Sequence, residues 1–256
     1  MKQKKYIKDF SIDEINLILN KFENNSTIKN IANEHSSSTT TISKILKLNN
    51  KNIISNKNKY NDLRNIPLNE LQKEFIVGTV LGDSCLHKDN KNSNYKLSFS
   101  HSIKQQEYFN WKVNILSPFI KSHTKYIDKR GNSTILCATT ISHQDFNYFG
   151  NLFYKNKTKI VPDNLKFTPL SLAALIQDDG SLNKSNIRIA SMSFTKDDNE
   201  KLTNYIKNLD LDCKVLNFKY NSKLYYQITF NKINTIKLSN LIKEYVVESM
   251  KYKIIA

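Results

Sequence analysis

Leu172-Ala-Ala-Leu-Ile-Gln-Asp-Asp-Gly180 and its earlier counterpart Ile76-Val-Gly-Thr-Val-Leu-Gly-Asp-Ser84 decide how the rest of the chain is read. Each is a short apolar helix pattern ending on an aspartate that a small residue follows. Asp83 and Asp179 stand 96 positions apart, and similar elements follow each in the same order. Three of the chain's five glycines, Gly78, Gly82 and Gly180, fall inside these two stretches. Glycine weakens a helix interior by roughly 1 kcal/mol relative to alanine, so Gly78 and Gly82 require a reason. Their spacing puts both on one face, one turn apart, as close approach of a second helix demands. Ala173 and Ala174 offer a similarly low surface on the second copy. Aspartate at a helix C-terminus meets an already negative dipole. Two such helices side by side bring two carboxylates together, which calls for a divalent cation between them.

Composition narrows the class. The 256 residues are 39% hydrophobic, with 13 Tyr and 13 Phe to fill a core, and the net charge is +16. That excess favours a polyanionic partner, most often nucleic acid. A ribosome-associated or membrane-surface protein is the alternative on charge alone. No stretch approaches the apolar length that spans a bilayer and no secretory signal opens the chain, so no membrane partner is expected. Cys85, Cys137 and Cys213 are odd in number, far apart and in no Cys-x-x-Cys pair, which argues against a disulfide framework and a zinc ribbon. His35, His87, His101, His123 and His143 lack ligand spacing and read as satisfied surface or core histidines.

Residues 1–48 read as a small all-α module. Ser11-Ile-Asp-Glu14 is a capping box opening a helix that carries Ile15, Leu17, Ile18, Leu19 and Phe22. A second helix turns Ile28, Ile31 and Ala32 inward, and Ser38 caps a third carrying Ile42, Ile45 and Leu46. The triplet resembles the helix-turn-helix of DNA-binding proteins. Ser37, Thr39, Thr40, Ser43 and Lys44 would then face phosphates and base edges. A three-helix interaction domain without DNA contact fits the same pattern. Residues 49–66 are Asn/Lys-rich and read as a linker, with Lys51, Lys57, Lys59 and Arg64 along it.

Residues 67–256 repeat one order of elements, αββαββα, in halves of about 67–158 and 159–256. Copy one has the motif helix at about Asn69–Gly82 and a weak strand near Leu86. A strand over Tyr95–Ser102, a helix with Tyr108, Phe109, Trp111 and Ile115, and a hairpin around Gly131-Asn132 come next. Its return strand is Thr134–Ser142, and a helix at Asp145–Phe153 closes the copy. Copy two has the motif helix at Leu170–Asp179, a weak strand near Leu182, a strand at Ile187–Ser193 and a helix at Asp197–Leu209. A hairpin over Lys214–Thr229 turning at Asn221-Ser222 and a closing helix at Ile233–Val246 complete it. The class is α+β.

The paired stretches resemble the LAGLIDADG motifs of homing endonucleases, in the single-chain, two-motif form of the omega-type intron endonucleases. The second copy fits well, and the first departs at Thr79 and at Ser84. The resemblance implies a monomer whose saddle-shaped antiparallel sheets enter the DNA major groove. It implies that Asp83 and Asp179 bind Mg2+, with Mn2+ as a substitute, and that each half cuts one strand. The backbone carbonyls of Gly82 and Asp178 could complete the coordination, although the Asp178 side chain reads as a helix-end group facing water. Lys159-Ile-Val-Pro162 and Met250-Lys-Tyr-Lys253 match two patterns that place Lys159 and Lys253 at the active site. Lys96, Ser98, Ser100, Arg188, Lys214, Asn217, Lys219, Tyr226 and Gln227 are the expected outward, DNA-facing strand residues.

The expected function is therefore site-specific cleavage of double-stranded DNA. An intron RNA maturase and a helix-turn-helix transcription regulator are the alternatives on the same fold; retained acids count against the second more than the first. The expected compartment is intracellular, a bacterial or phage-host cytoplasm or alternatively a mitochondrion or other organelle.

Overall fold

The computed structural model describes residues 5–24, 26–51, 60–128, 131 and 133–255. The chain divides into two compact units, Met1–Asn61 and Asp62–Ala256.

In the first unit, Ser11 and Glu14 cap one another's backbone amides and start α1 (Ile12–Glu23). Side-chain oxygens of Thr27 and Ser38 cap α2 (Ile28–Glu34) and α3 (Thr39–Leu48). Ile18, Ile31, Ala32, Ile42, Ile45 and Leu46 close a small apolar core edged by Phe10. Thr39, Thr40 and Lys44 are exposed. Ser37 is not open as expected: it is half-buried and its hydroxyl donates to the Lys5 carbonyl at 2.9 Å. Ser43 is also half-buried. Lys51, expected along the linker, pairs with Glu23; Lys57 and Lys59 lie outside the described residues.

The second unit opens with α4 (Glu70–Leu81), capped by Asn69 with Gln72. There follow β1 (Cys85–His87), β2 (Lys96–Ser102), α5 (Gln106–Leu116), β3 (Ile120–Asp128), β4 (Ser133–Thr140) and α6 (Asp145–Phe153). A two-stranded ladder of β5 (Tyr154–Lys155) and β6 (Thr158–Lys159), which the sequence did not announce, joins this half to the next. Then come α7 (Pro169–Asp179), β7 (Gly180–Asn183), β8 (Asn186–Ile189), α8 (Lys196–Lys207), β9 (Lys214–Tyr220), β10 (Lys223–Thr229) and α9 (Lys232–Ile242). The closing helix is shorter than expected, because a 3₁₀ turn over Lys243–Tyr245 replaces its last turn. The sheets are antiparallel and ordered β1-β2-β4-β3 and β7-β8-β10-β9, the same path drawn twice. Asn221 and Ser222 both take positive φ, 46° and 62°, the twist a two-residue hairpin turn needs.

Helices α4 and α7 pack against each other closely enough that only glycine fits at two positions. A Cβ on Gly78 would lie 2.0 Å from the Ser171 carbonyl oxygen, and one on Gly82 would lie 2.6 Å from the Asp178 Cβ. The facing residues are thus Ser171 and Asp178 rather than the expected pair Ala173 and Ala174. Helical spacing puts Ala174 on the face of Ser171 and Asp178, and Ala173 a step of about 100° away. Both alanines are fully buried.

Register sorts the strand residues by face, because paired residues of antiparallel strands share one. In the first sheet Leu97, Phe99 and His101 are buried, so Lys96, Ser98 and Ser100 point the other way, as expected. In the second sheet Ile187, Ile189 and Ile228 mark the buried face. Arg188, Lys214 and Gln227 then lie on the outer face. Asn217, Lys219 and Tyr226 do not: they share the face of Ile228, one residue out of phase with Lys214 and Gln227. Period two forbids the whole expected set on one side.

Candidate active site

Both motif helices end on their acids. Asp83 follows the α4 cap at Gly82 and is exposed; Asp179 is the last residue of α7 and is half-buried. Among the described residues no hydrogen-bond donor reaches either carboxylate. Loss of water raises the pKa of Asp179 to about 7, with repulsion from Asp83 and Asp178 adding to it and Lys159 and Lys253 opposing it. Asp83 is raised for the same first reason, then by Asp178, against Lys112, Lys253 and Lys159. Two undonated acids that repel each other suit a divalent cation better than any protein donor nearby.

The two lysines occupy matching places. Lys159, ending β6, donates to the carbonyls of Gly82 at 3.0 Å and Ser84 at 3.1 Å, on either side of Asp83. Lys253, in a 3₁₀ turn over Glu248–Lys253, donates to the carbonyls of Gln177 at 2.6 Å and Asp178 at 2.9 Å, just before Asp179. Each lysine therefore holds the backbone of its own motif, from unrelated elements. The carbonyls of Gly82 and Asp178 that were expected on the metal are lysine acceptors, with one lone pair left to each. Burial pulls both lysines below the ordinary value, and the nearby acids push back.

Asp178 overturns its expected place. Its side chain is fully buried and ion-paired with Lys112, whose Nζ lies 2.6 Å from Oδ1. Tyr108 also donates to Oδ1 at 2.9 Å, while Thr79 Oγ1 at 3.1 Å and the Asp83 amide at 3.2 Å donate to Oδ2. Lys112 and Ser84 in turn reach Thr79 at 2.8 and 2.6 Å. Thr79 and Ser84, the two departures of the first motif, are thus members of one polar network. Lys112 and Tyr108 went unsingled-out in sequence as site residues. The available signal was a lysine one turn after Tyr108 on a helix face otherwise filled with aromatics.

His101 also differs from the satisfied histidine expected. It is buried, its Nε2 has no hydrogen-bond partner, and it lies 3.8 Å from Asp178 Oδ1. Burial, then the Lys112 charge, lowers its pKa to about 4, so this contact is not an ion pair at neutral pH. The nearest acceptor atoms of Asp83, His101 and Asp178 all lie within 4.8 Å of one another. Asp178 already takes four donors there, so the group's capacity for a cation rests on Asp83. His35 and His143 likewise keep a buried Nε2 without a partner. Among the described residues no helix is long and apolar enough to cross a membrane.

The family model for the LAGLIDADG DNA endonuclease family matches residues 73–238. A protein described as probable intron-encoded endonuclease 1, from Wickerhamomyces canadensis, is 28% identical over 204 residues, 73% of this chain and 85% of its own. A cytochrome b mRNA maturase bI2 from Debaryomyces hansenii is 26% identical over 74% of this chain and 76% of its own. The solved structure of the homing endonuclease I-WcaI bound to its DNA recognition sequence has the same fold. It superposes with a TM-score of 0.65 at 24% identity, covering 79% of this chain and 99% of that one. With its motif helices packed through glycine and its acids at their ends, the chain belongs to the LAGLIDADG DNA endonuclease family.

Proposed function

We propose that this chain is a homing endonuclease that cuts both strands of a long, asymmetric duplex DNA site, acting as a monomer with Mg2+. The observation that carries the reading is the pair of undonated acids, Asp83 and Asp179, each beside a backbone clamped by a lysine, on a chain of net charge +16. Asp83 and Asp179 would hold the cation, which supplies charge neutralisation at the phosphate and an activated water. An ammonium has three donors, and Lys159 and Lys253 each spend two on carbonyls. The third N–H of each is left for a phosphate oxygen, where it offsets the charge that develops as the bond breaks. The clamps also fix the acids' backbone before substrate arrives, so little reorganisation remains for the reaction.

In this reading Lys96, Ser98, Ser100, Arg188, Lys214 and Gln227 contact the duplex from the sheets. Thr39, Thr40 and Lys44 add a second contact from the helix-turn-helix, which raises affinity through effective concentration. RNA binding in splicing is the second reading, favoured by the similarity to a maturase.

The test is incubation of the full chain with a random-sequence duplex pool and Mg2+, followed by sequencing of the cut ends. One defined cut sequence is the expected result. Ends no more frequent than in the metal-free control, with tight binding to structured intron RNA instead, would replace this reading by the maturase one.

A further inference from the structure

The outer faces of the two sheets differ in chemistry, although their topology is the same. On the first, register brings Ser98, Ser100, Thr139, Ser122 and Thr124 together, hydroxyls that outnumber the apolar Ile135 and the exposed Tyr126 on the same face. On the second, Leu216, Phe218 and Tyr220 of β9 share the outer face with Tyr225 of β10. Leu216, Phe218 and Tyr220 are 41%, 38% and 64% exposed. Phe218 and Tyr225 stack at 5.8 Å. The same face carries Arg188, Lys214 and Lys223.

An apolar stripe left in water on a small sheet is costly unless something covers it. The cations on that face select a polyanion as the cover. Hydroxyls accept or donate to either kind of base edge, whereas the one apolar group in the major groove is the thymine 5-methyl, which Phe and similar side chains contact. Bases in a duplex are stacked, so the rings meet edges rather than faces. RNA fits poorly, because its major groove is deep and narrow and its uracil lacks the methyl.

Resting on the endonuclease reading above, we infer that the second half recognises a thymine-rich half-site through methyl contacts made by Leu216, Phe218 and Tyr225, while the first half reads its half-site by hydrogen bonds. The asymmetry of the target then originates in the sheets, not in the catalytic helices.

The full chain is used to select bound sequences from a random duplex pool, and the selected site is resynthesised with deoxyuridine for thymidine in one half at a time. Uracil keeps every hydrogen bond and removes only the methyl. On the A·T-enriched side each contacted methyl lost weakens binding about fourfold, the transfer cost of one buried carbon. The same change in the other half has under about a twofold effect on this scale. In the Leu216→Ser/Phe218→Ser/Tyr225→Ser variant the uracil penalty disappears. Equal sensitivity of the two halves, insensitivity of both, or a penalty that survives in the folded variant overturns this inference and leaves the endonuclease reading intact. Recovery of no duplex, or preference for an RNA pool, overturns both.

Discussion

The two halves of the second unit follow one topology, yet the residue before the acid is Gly82 in the first motif and Asp178 in the second. Glycine there lets α7 come close; aspartate there fills the space that glycine leaves. The Asp178 Oδ2 accepts the Asp83 amide, so the second motif supports the first, while among the described hydrogen bonds no side chain of the first motif reaches the Asp179 amide. Topological symmetry thus does not carry chemical symmetry with it. Two acids at matched positions sit on backbones held by different means, one by a buried ion pair and a lysine, the other by a lysine with Gln177, whose side chain bridges to Tyr245 and Val247.

The largest effect should come from the acids. Asp83→Asn and Asp179→Asn each remove a proposed metal ligand while changing little contact area. Loss of metal-borne stabilisation of several kcal/mol lowers double-strand cleavage by about 10³-fold or more. Conversion of supercoiled plasmid to nicked and linear forms separates the halves. Each variant is expected to bind its site and at most to nick the strand served by the other acid. Linear product at the wild-type rate from either would break the pairing of one half with one strand.

Lys112→Met tests the asymmetry itself. It leaves the buried Asp178 without its cation, and losing one partner of such a pair costs about 3–5 kcal/mol. Chemical denaturation of the second unit reads this directly. Lys112→Met combined with Asp178→Leu should recover much of the loss, because no charge then remains buried. No recovery would mean that the pair does more than balance itself.

Gly78→Ala should cost about 1–3 kcal/mol, since its Cβ meets Ser171 backbone that no side-chain rotation can move. Gly82→Ala meets the Asp178 side chain instead, and through it the Asp83 amide. Its loss of cleavage should therefore exceed what its melting temperature predicts, and equal ratios for the two variants would count against the link between Asp178 and Asp83.

A further test is the response to pH. Asp179 titrates at about 7 folded against an ordinary 3.8. The folded state therefore holds more protons between these values, and metal-free stability falls as pH climbs through that window. Added Mg2+ reverses the trend above pH 7 by favouring the charged acids. Melting curves with and without chelator check this; Asp179→Asn should flatten the metal-free profile more than Asp83→Asn does.

Much was legible in the chain because periodicity is a local property. The capping box at Ser11, the repeat αββαββα and the turn at Asn221-Ser222 follow from spacing and backbone preference alone. The need for close packing at Gly78 and Gly82 was equally visible, since glycine in a helix asks for an explanation. What faced those glycines was not, because a partner surface is set by the rotation of α7 about its axis, and Ser171 with Asp178 could not be told from Ala173 with Ala174. Asp178 read as a water-facing helix end, for its cation comes from α5, 66 positions earlier in the chain. Residue chemistry alone points Asn217, Lys219 and Tyr226 at DNA, whereas strand parity puts them on the other face. Residue types and spacing singled out the two motif acids, and Lys159 and Lys253 came from the resemblance to the family; the structure brings both lysines close to Asp179. Only the tertiary structure decided how the site is held, because burial creates the ion pair and the exposed stripe, and burial is a property of the packed chain.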